Sequence, residues 1–324
     1  MRELVWRLLV FLTCMQLALA AWARAEEPNV TVKFAEKSEL NIALDGRPIS
    51  RPTPLTGLPD IKPRTFEYKP GRSLFVFAMP GTSAAARPAA VFIHGGGFHS
   101  GTPDLFFPHA RYYAARGFVG ISVGYRLAPE GGATFTPFDC VADVRSAVRW
   151  LRAHAAKLGV DPRRIALLGD STGGLLAAAT ALLPGLDAPD DDLAVSPRPD
   201  ALVLYNPVID TTPPDGWNLR AWGEAVAARS ADLSPIDHVG PGAPPTLVIH
   251  GTSDTVTPFA WSERFVAAMR AAGNRVRLER LEGKHHAFIV PGYGDDATLA
   301  KALRLTDEFL RERKMLNKEP SHEQ

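Results

Sequence analysis

The chain has 324 residues, 46% hydrophobic and 22% charged, enough for one large globular core. Its 36 basic and 35 acidic residues leave a net charge of +1. That balance argues against a nucleic-acid or acidic-polymer partner, either of which calls for a basic surface.

Residues 1–7 carry Arg2 and Arg7, residues 8–21 are apolar, and Ala23-Arg24-Ala25 fits a small-x-small cleavage site. This layout predicts a secretory signal peptide over 1–25, cut after Ala25 or, alternatively, Ala20, and so a secreted or periplasmic protein. The competing reading is an anchor helix, but the apolar stretch is short of the roughly 20 residues of a bilayer span. Leu12 and Thr13 before Cys14 make a poor acylation signal. No later stretch is long and apolar enough to cross a membrane, so no stable insertion is expected after cleavage. Cleavage removes three basic residues and one acidic, leaving 33 against 34. Cys140 is then the sole cysteine, which rules out an internal disulfide.

Residues 26–63 are rich in Pro, Thr and Arg with weak periodicity and read as an extended leader or partly disordered arm. Strands are predicted over 65–68, 74–79, 89–93, 118–123, 164–168, 201–205, 246–250 and 275–281. Several are near-continuous apolar runs, the pattern of parallel strands buried on both faces.

Helices fall between them. The clearest spans 138–157, with Val141, Val144, Val148, Leu151 and Ala155 on one stripe. Thr136-Pro137 reads as its N-cap and first residue, and Thr257-Pro258 repeats that signal before a helix over 259–272. Cys140 falls in the first of these helices and reads as a buried thiol. Residues 175–183 and 295–313 complete the set, and 316–324 form a polar tail. Strands alternating with helices predict an α/β fold over 64–315, a mostly parallel, doubly wound sheet flanked by helices.

Two connections are long. Residues 184–199 hold Asp187, Asp190, Asp191 and Asp192 and read as a solvated acidic loop, with calcium binding the alternative. Residues 211–244 form an insertion between two strands with a short helical stretch over 217–228. Trp217 and Trp222 either line a site there or pack that stretch onto the body.

Two glycine-rich motifs carry the chemistry. His94-Gly95-Gly96-Gly97-Phe98 follows the 89–93 strand, where exposed amides can stabilise an oxyanion. Gly169-Asp170-Ser171-Thr172-Gly173-Gly174 fits G-x-S-x-G between a strand and a helix. That setting lifts a serine on a strained elbow with its Oγ exposed. A serine hydroxyl is a poor nucleophile until a base takes its proton.

Both motifs, in this order and each after a strand, resemble those of the α/β-hydrolases, in particular the hormone-sensitive-lipase-like and related small carboxylesterases. The resemblance spans roughly residues 65–310 and implies a Ser–acid–His order along the chain. It implies Ser171 as nucleophile, Asp254 in Gly251-Thr252-Ser253-Asp254-Thr255-Val256-Thr257-Pro258 as acid, and a histidine of Lys284-His285-His286-Ala287-Phe288 as base. The H-x-F spacing favours His286, with His285 the alternative. The implied oxyanion donors are the amides of Gly96, Gly97 and Thr172. His94 is expected to fix its loop, Asp170 to bond nearby backbone, and Arg126 of Tyr125-Arg126-Leu127-Ala128-Pro129-Glu130 to pair with a carboxylate.

The chain departs from the family pattern at Thr172, where alanine is commoner, and at Ala287, where glycine is commoner. It also lacks a clear N-terminal helical cap. The implied activity is hydrolysis of short-chain acyl esters, on small molecules or on sugars, with no cofactor and no metal. The partner is thus a small-molecule or carbohydrate-linked ester. Competing readings are a serine peptidase of the prolyl-oligopeptidase type and a non-catalytic binding protein on the same scaffold.

Overall fold

In the computed structural model, residues 53–316 are described, apart from 81–84, 129–133 and positions 213, 215 and 218. The expected signal peptide, most of the extended leader and nearly all of the polar tail lie outside the described residues.

The eight expected strands form one sheet in the order β1-β2-β4-β3-β5-β6-β7-β8. They are β1 Arg64–Lys69, β2 Arg72–Phe77, β3 Arg87–Ile93, β4 Val119–Val123, β5 Val160–Asp170, β6 Ala201–Tyr205, β7 Thr246–Gly251 and β8 Val276–Leu281. β2 is antiparallel to both its neighbours, and β4 through β8 pair in parallel. Parallel strands need crossovers, and the helices that supply them cover both faces.

Side-chain alternation divides the core in two. Ala89, Val91 and Ile93 of β3, with Ile165 and Leu167 of β5, face one layer. Ala90, Phe92, Ala166 and Leu168 face the other. The first layer is roofed by α1 Pro137–Ala153, α2 Thr172–Leu182 and α3 Phe259–Ala271. The second is covered by the helix Phe107–Ala114 and the closing helix Asp296–Glu312. An apolar side chain buried this way contributes on the order of 1.5–3 kcal/mol, so exchanging the two faces by a one-residue slip is strongly opposed.

α1 starts where Thr136 donates both its amide and its hydroxyl to the Asp139 carboxylate, each at 2.8 Å. It stops at Ala153, short of the expected 157. His154 leaves helical geometry (φ −103, ψ 16) and a separate turn, Ala155–Leu158, follows. Cys140 is buried within α1, its Sγ 3.4 Å from the Arg126 carbonyl.

Two other expectations are corrected. The acidic loop is not solvated as a whole. Asp187 takes Arg145 and Arg149 at 2.7 and 2.6 Å, Asp191 takes Arg149 at 3.1 Å and Lys69 at 3.1 Å, and Lys69 also holds Asp190. The carboxylates thus pin the loop to α1 and β1. The stretch 217–228 is two separate single turns, Arg220–Trp222 and Glu224–Ala227.

The consequence for function is positional. The loops after β3, β5, β7 and β8 all leave the same, carboxyl-terminal edge of the parallel sheet, the edge where such sheets build sites.

Candidate active site

Ser171 follows β5 directly and adopts φ 54, ψ −121, outside the regions open to most residues. The turn is this tight because backbone packs on backbone. A Cβ at Gly169 would stand 2.2 Å from the Gly173 carbonyl oxygen, and one at Gly173 would stand 2.1 Å from that of Ile93. The Ser171 amide is held by Tyr205 O at 3.0 Å, and its carbonyl accepts the Val208 amide at 3.0 Å. The strain is therefore held by the end of β6 and the chain that follows it.

The Ser171 Oγ lies 2.9 Å from His286 Nε2, and His286 Nδ1 lies 2.8 Å from Asp254 Oδ2. Asp254 can only accept, so His286 Nδ1 carries the proton and Nε2 faces the serine as an acceptor. The three groups leave three different strands, so the sheet alone brings them together. His285 points away: it is exposed, and its Nδ1 bonds the Ser253 carbonyl at 3.0 Å. Of the two adjacent histidines, only His286 reaches the serine. Its loop passes through Ala287 at φ 59, where a Cβ is unfavourable, which explains why glycine suits that position.

Asp254 has a richer setting than the sequence reveals. Its Oδ1 accepts the amides of Val256 and Thr257, both at 2.8 Å. Its Oδ2 also accepts the Thr257 hydroxyl at 3.0 Å and lies 3.3 Å from Nε2 of the buried His250. Burial alone would raise the Asp254 pKa. Hydrogen bonds from His250, His286 and the Thr257 amide override it and hold the carboxyl far below its usual range. Thr257, expected to cap the next helix, instead braces the acid, and Pro258 stands at the cap position. His250 reads in sequence as one more residue of a buried strand. Only the fold places it beside Asp254.

The glycine loop after β3 sits against the elbow. His94 is buried, donates Nδ1–H to Gly95 O at 2.8 Å and stacks on Tyr125 at 4.5 Å. Burial pushes its pKa down to about 4, so it is neutral and fixes the loop without taking protons. Of the expected oxyanion donors, Gly97 N–H points at Thr172 Oγ1, 3.1 Å away. Among the described residues, the amides of Gly96 and Thr172 show no such partner in the loop. The unexpected threonine therefore has a use: its hydroxyl engages one of the donors.

Other residues prove to be supports. Tyr125 donates to His94 O at 2.9 Å. His109 donates to Ile289 O at 3.0 Å and so steadies the loop that follows His286. Arg126 forks onto Asp143 at 2.7 and 2.6 Å. Asp170 bonds a side chain, Asn206 Nδ2 at 2.8 Å, where backbone was expected. Trp222 stacks on His99 at 5.0 Å and meets Phe98 edge-on at 6.1 Å, so the insertion packs over the glycine loop. Trp217 packs against the core.

Comparison with known proteins agrees with this fold. A family profile described as alpha/beta hydrolase fold matches residues 90–290. The chain is 27% identical over 262 residues to the probable carboxylic ester hydrolase LipM of Mycobacterium tuberculosis, covering 76% of this chain and 59% of that one. It is 29% identical over 239 residues to the esterase LipC of the same organism, covering 68% and 57%. The chain thus spans somewhat under three fifths of these curated relatives. Among solved structures, esterase 2 of Thermogutta terrifontis phosphoramylated by tabun superposes with a TM-score of 0.74 at 38% identity, covering 80% of this chain and 97% of that one. The same esterase has been solved with propionate and with butyrate bound, with TM-scores of 0.73.

Proposed function

Because the chain belongs to the α/β-hydrolase family, we propose that it is a serine carboxylesterase working through Ser171, His286 and Asp254. One observation carries the reading: the unbroken relay from Ser171 Oγ through His286 to a buried, ionised Asp254.

Ser171 Oγ attacks the ester carbonyl as His286 Nε2 takes its proton. The developing oxyanion is met by the amides of Gly96 and Thr172 and, once released from the threonine hydroxyl, by that of Gly97. Asp254 stays ionised and stabilises the imidazolium without accepting its proton. His286 then protonates the departing alcohol, leaving an acyl group on Ser171. Water, activated by the same imidazole, hydrolyses it.

The substrate side is a short acyl group, acetyl to butyryl, on a small alcohol or a sugar. Two observations support this: the absence of a sequence signal for a helical cap, and the propionate- and butyrate-bound forms of the Thermogutta esterase. The layout of residues 1–25 supports secretion to the periplasm or beyond.

The test is a p-nitrophenyl ester series from acetyl to decanoyl on wild type and Ser171→Ala. Turnover peaking at short chains, and lost by about 10³-fold or more in the variant, is expected. Retention of a tenth of the rate by the variant removes the nucleophile assignment. A peak at decanoyl removes the short-chain assignment. N-terminal sequencing of protein from a secreting host checks for a start near Glu26.

A further inference from the structure

Asn206 stands between the two halves of the site. It follows β6 immediately, is fully buried and adopts φ 33, a conformation that favours glycine. Its side-chain Nδ2 donates to Asp170 Oδ1 at 2.8 Å, on the residue that precedes the nucleophile. Its backbone carbonyl lies 3.1 Å from the hydroxyl of Thr257, on the loop that holds Asp254, and shares that proton with Asp254 Oδ2. A strained, buried asparagine that ties both loops is a signature of function more than of packing.

The carboxyl that Asn206 holds is itself unusual. Asp170 is buried, with no cation of Lys or Arg among its hydrogen-bond partners in the described residues. Its Oδ2 lies 3.0 Å from where a Cβ of Gly95 would stand, so it packs beneath the glycine loop. The titratable groups that face it come from four elements: Tyr125 after β4, Tyr205 at the end of β6, Asp254 after β7 and His286 after β8. Burial raises its pKa to about 6, the His286 imidazole and the Asn206 amide pull it back, and Asp254 pushes it up.

We propose that Asn206 is a positioning residue whose amide keeps Asp170 as a second carboxylate behind the nucleophile, where its charge favours the imidazolium that His286 becomes. The proposal rests on the triad reading above and adds a charge to it. When the Ser171 proton passes to His286 Nε2, the new positive charge interacts with two carboxylates. Asp254 holds it by direct hydrogen bond and Asp170 acts through space. Neither carboxylate gains the proton.

Two variants separate this from a merely structural role. Asp170→Asn removes the charge at every pH. Asn206→Gly removes the side-chain amide, keeps the backbone hydrogen bonds to Ile249 O (2.9 Å) and from the Thr257 hydroxyl and suits φ 33, so it is expected to fold. Losing a donor to the ionised form raises the Asp170 pKa further, so Asp170 stays neutral up to a higher pH.

The measurement is kcat and kcat/KM for p-nitrophenyl butyrate from pH 5 to 9, beside Ser171→Ala. In Asp170→Asn, kcat is expected to fall by up to about tenfold with KM little changed. The acid limb of kcat/KM should move to lower pH by up to about one unit, because a unit of imidazole basicity is a tenfold effect. Asn206→Gly should resemble Asp170→Asn near pH 6 and return toward wild type by pH 9. An Asn206→Gly deficit that is the same at all pH values, or an unmoved acid limb in Asp170→Asn, overturns the proposal. Wild-type turnover by Ser171→Ala overturns the triad reading and this proposal with it.

Discussion

The three glycines of the His94–Phe98 loop are needed for three different reasons, and alanine at each should fail differently. A methyl at Gly95 would stand 2.8 Å from Ser171 Cβ and 3.0 Å from Asp170 O and Oδ2. Carbon atoms settle near 3.5–4.0 Å, so loop and elbow must separate by several tenths of an ångström to about one. Overpacking of this kind costs about 1–3 kcal/mol, or roughly 2–10 °C in a domain of this size. The same displacement moves the oxyanion donors off the nucleophile, which we expect to cost about 10²-fold in kcat/KM.

At Gly97 a methyl meets nothing within 4 Å, and only the backbone (φ 64) objects. That penalty is about 1 kcal/mol, and activity should stay within about threefold. At Gly96, φ is 117 and a methyl would stand 2.0 Å from Ser100 O, a conflict that no side-chain motion relieves. Gly96→Ala should lose activity by about 10³-fold or more, or fail to fold. Ester turnover and thermal midpoints of the three purified variants decide it. A dead Gly97→Ala beside an active Gly95→Ala would refute the reasoning, since it would make backbone conformation, and not contact with the elbow, the controlling term.

Three further outcomes follow from the same geometry. His286→Ala should reduce kcat/KM by about 10³-fold or more, while His285→Ala, which loses one exposed bond to Ser253 O, should stay within about threefold; steady-state kinetics on the pair check both. Thr257→Val removes the hydroxyl that Asp254 Oδ2 accepts, so it should lower stability by about 1.5–3 kcal/mol and kcat/KM by about tenfold, with Thr257→Ser restoring both; an unchanged melting midpoint would count against it. Asp295 caps the closing helix through Thr298 N at 2.8 Å, and Asp295→Ala should cost about 1 kcal/mol at neutral pH. The Lys284 ammonium holds the Asp295 carboxyl down to about 2, so its stabilisation is present above about pH 4 and lost as pH falls toward 2. The gap between wild-type and variant midpoints should therefore close over that window.

What the sequence makes legible depends on how local each signal is. The strands are legible because both faces of the sheet are buried, so Ala201–Tyr205 is apolar without interruption and Ser122 is the one polar side chain in Val119–Val123. The elbow and the glycine loop are legible because each is a contiguous motif. The supports are not. Tyr125, Asn206 and His250 are scattered along the chain, and only the strand order gathers them around Asp170 and Asp254. Thr257-Pro258 misleads because a threonine before proline and a helix is also how a cap is written. The carboxylates of residues 184–199 look solvated because their partners Arg145 and Arg149 lie on α1, where a charged residue outside the apolar stripe reads as an exposed one.

Cys140 gives the molecule a gauge of its own integrity. The thiolate is the species that reacts, and here burial pushes the thiol pKa well up while α1 shields the sulfur from reagents. Alkylation in the native state must therefore wait for α1 to lift from the sheet. That event also parts Arg145 and Arg149 from the 184–199 loop and uncovers the layer that contains α2. In a chain cut after Ala25 it is the sole thiol, so the rate of its modification is a clock for that one opening. While the clock stays silent, the Cys140 thiol takes no part in the redox chemistry of its surroundings.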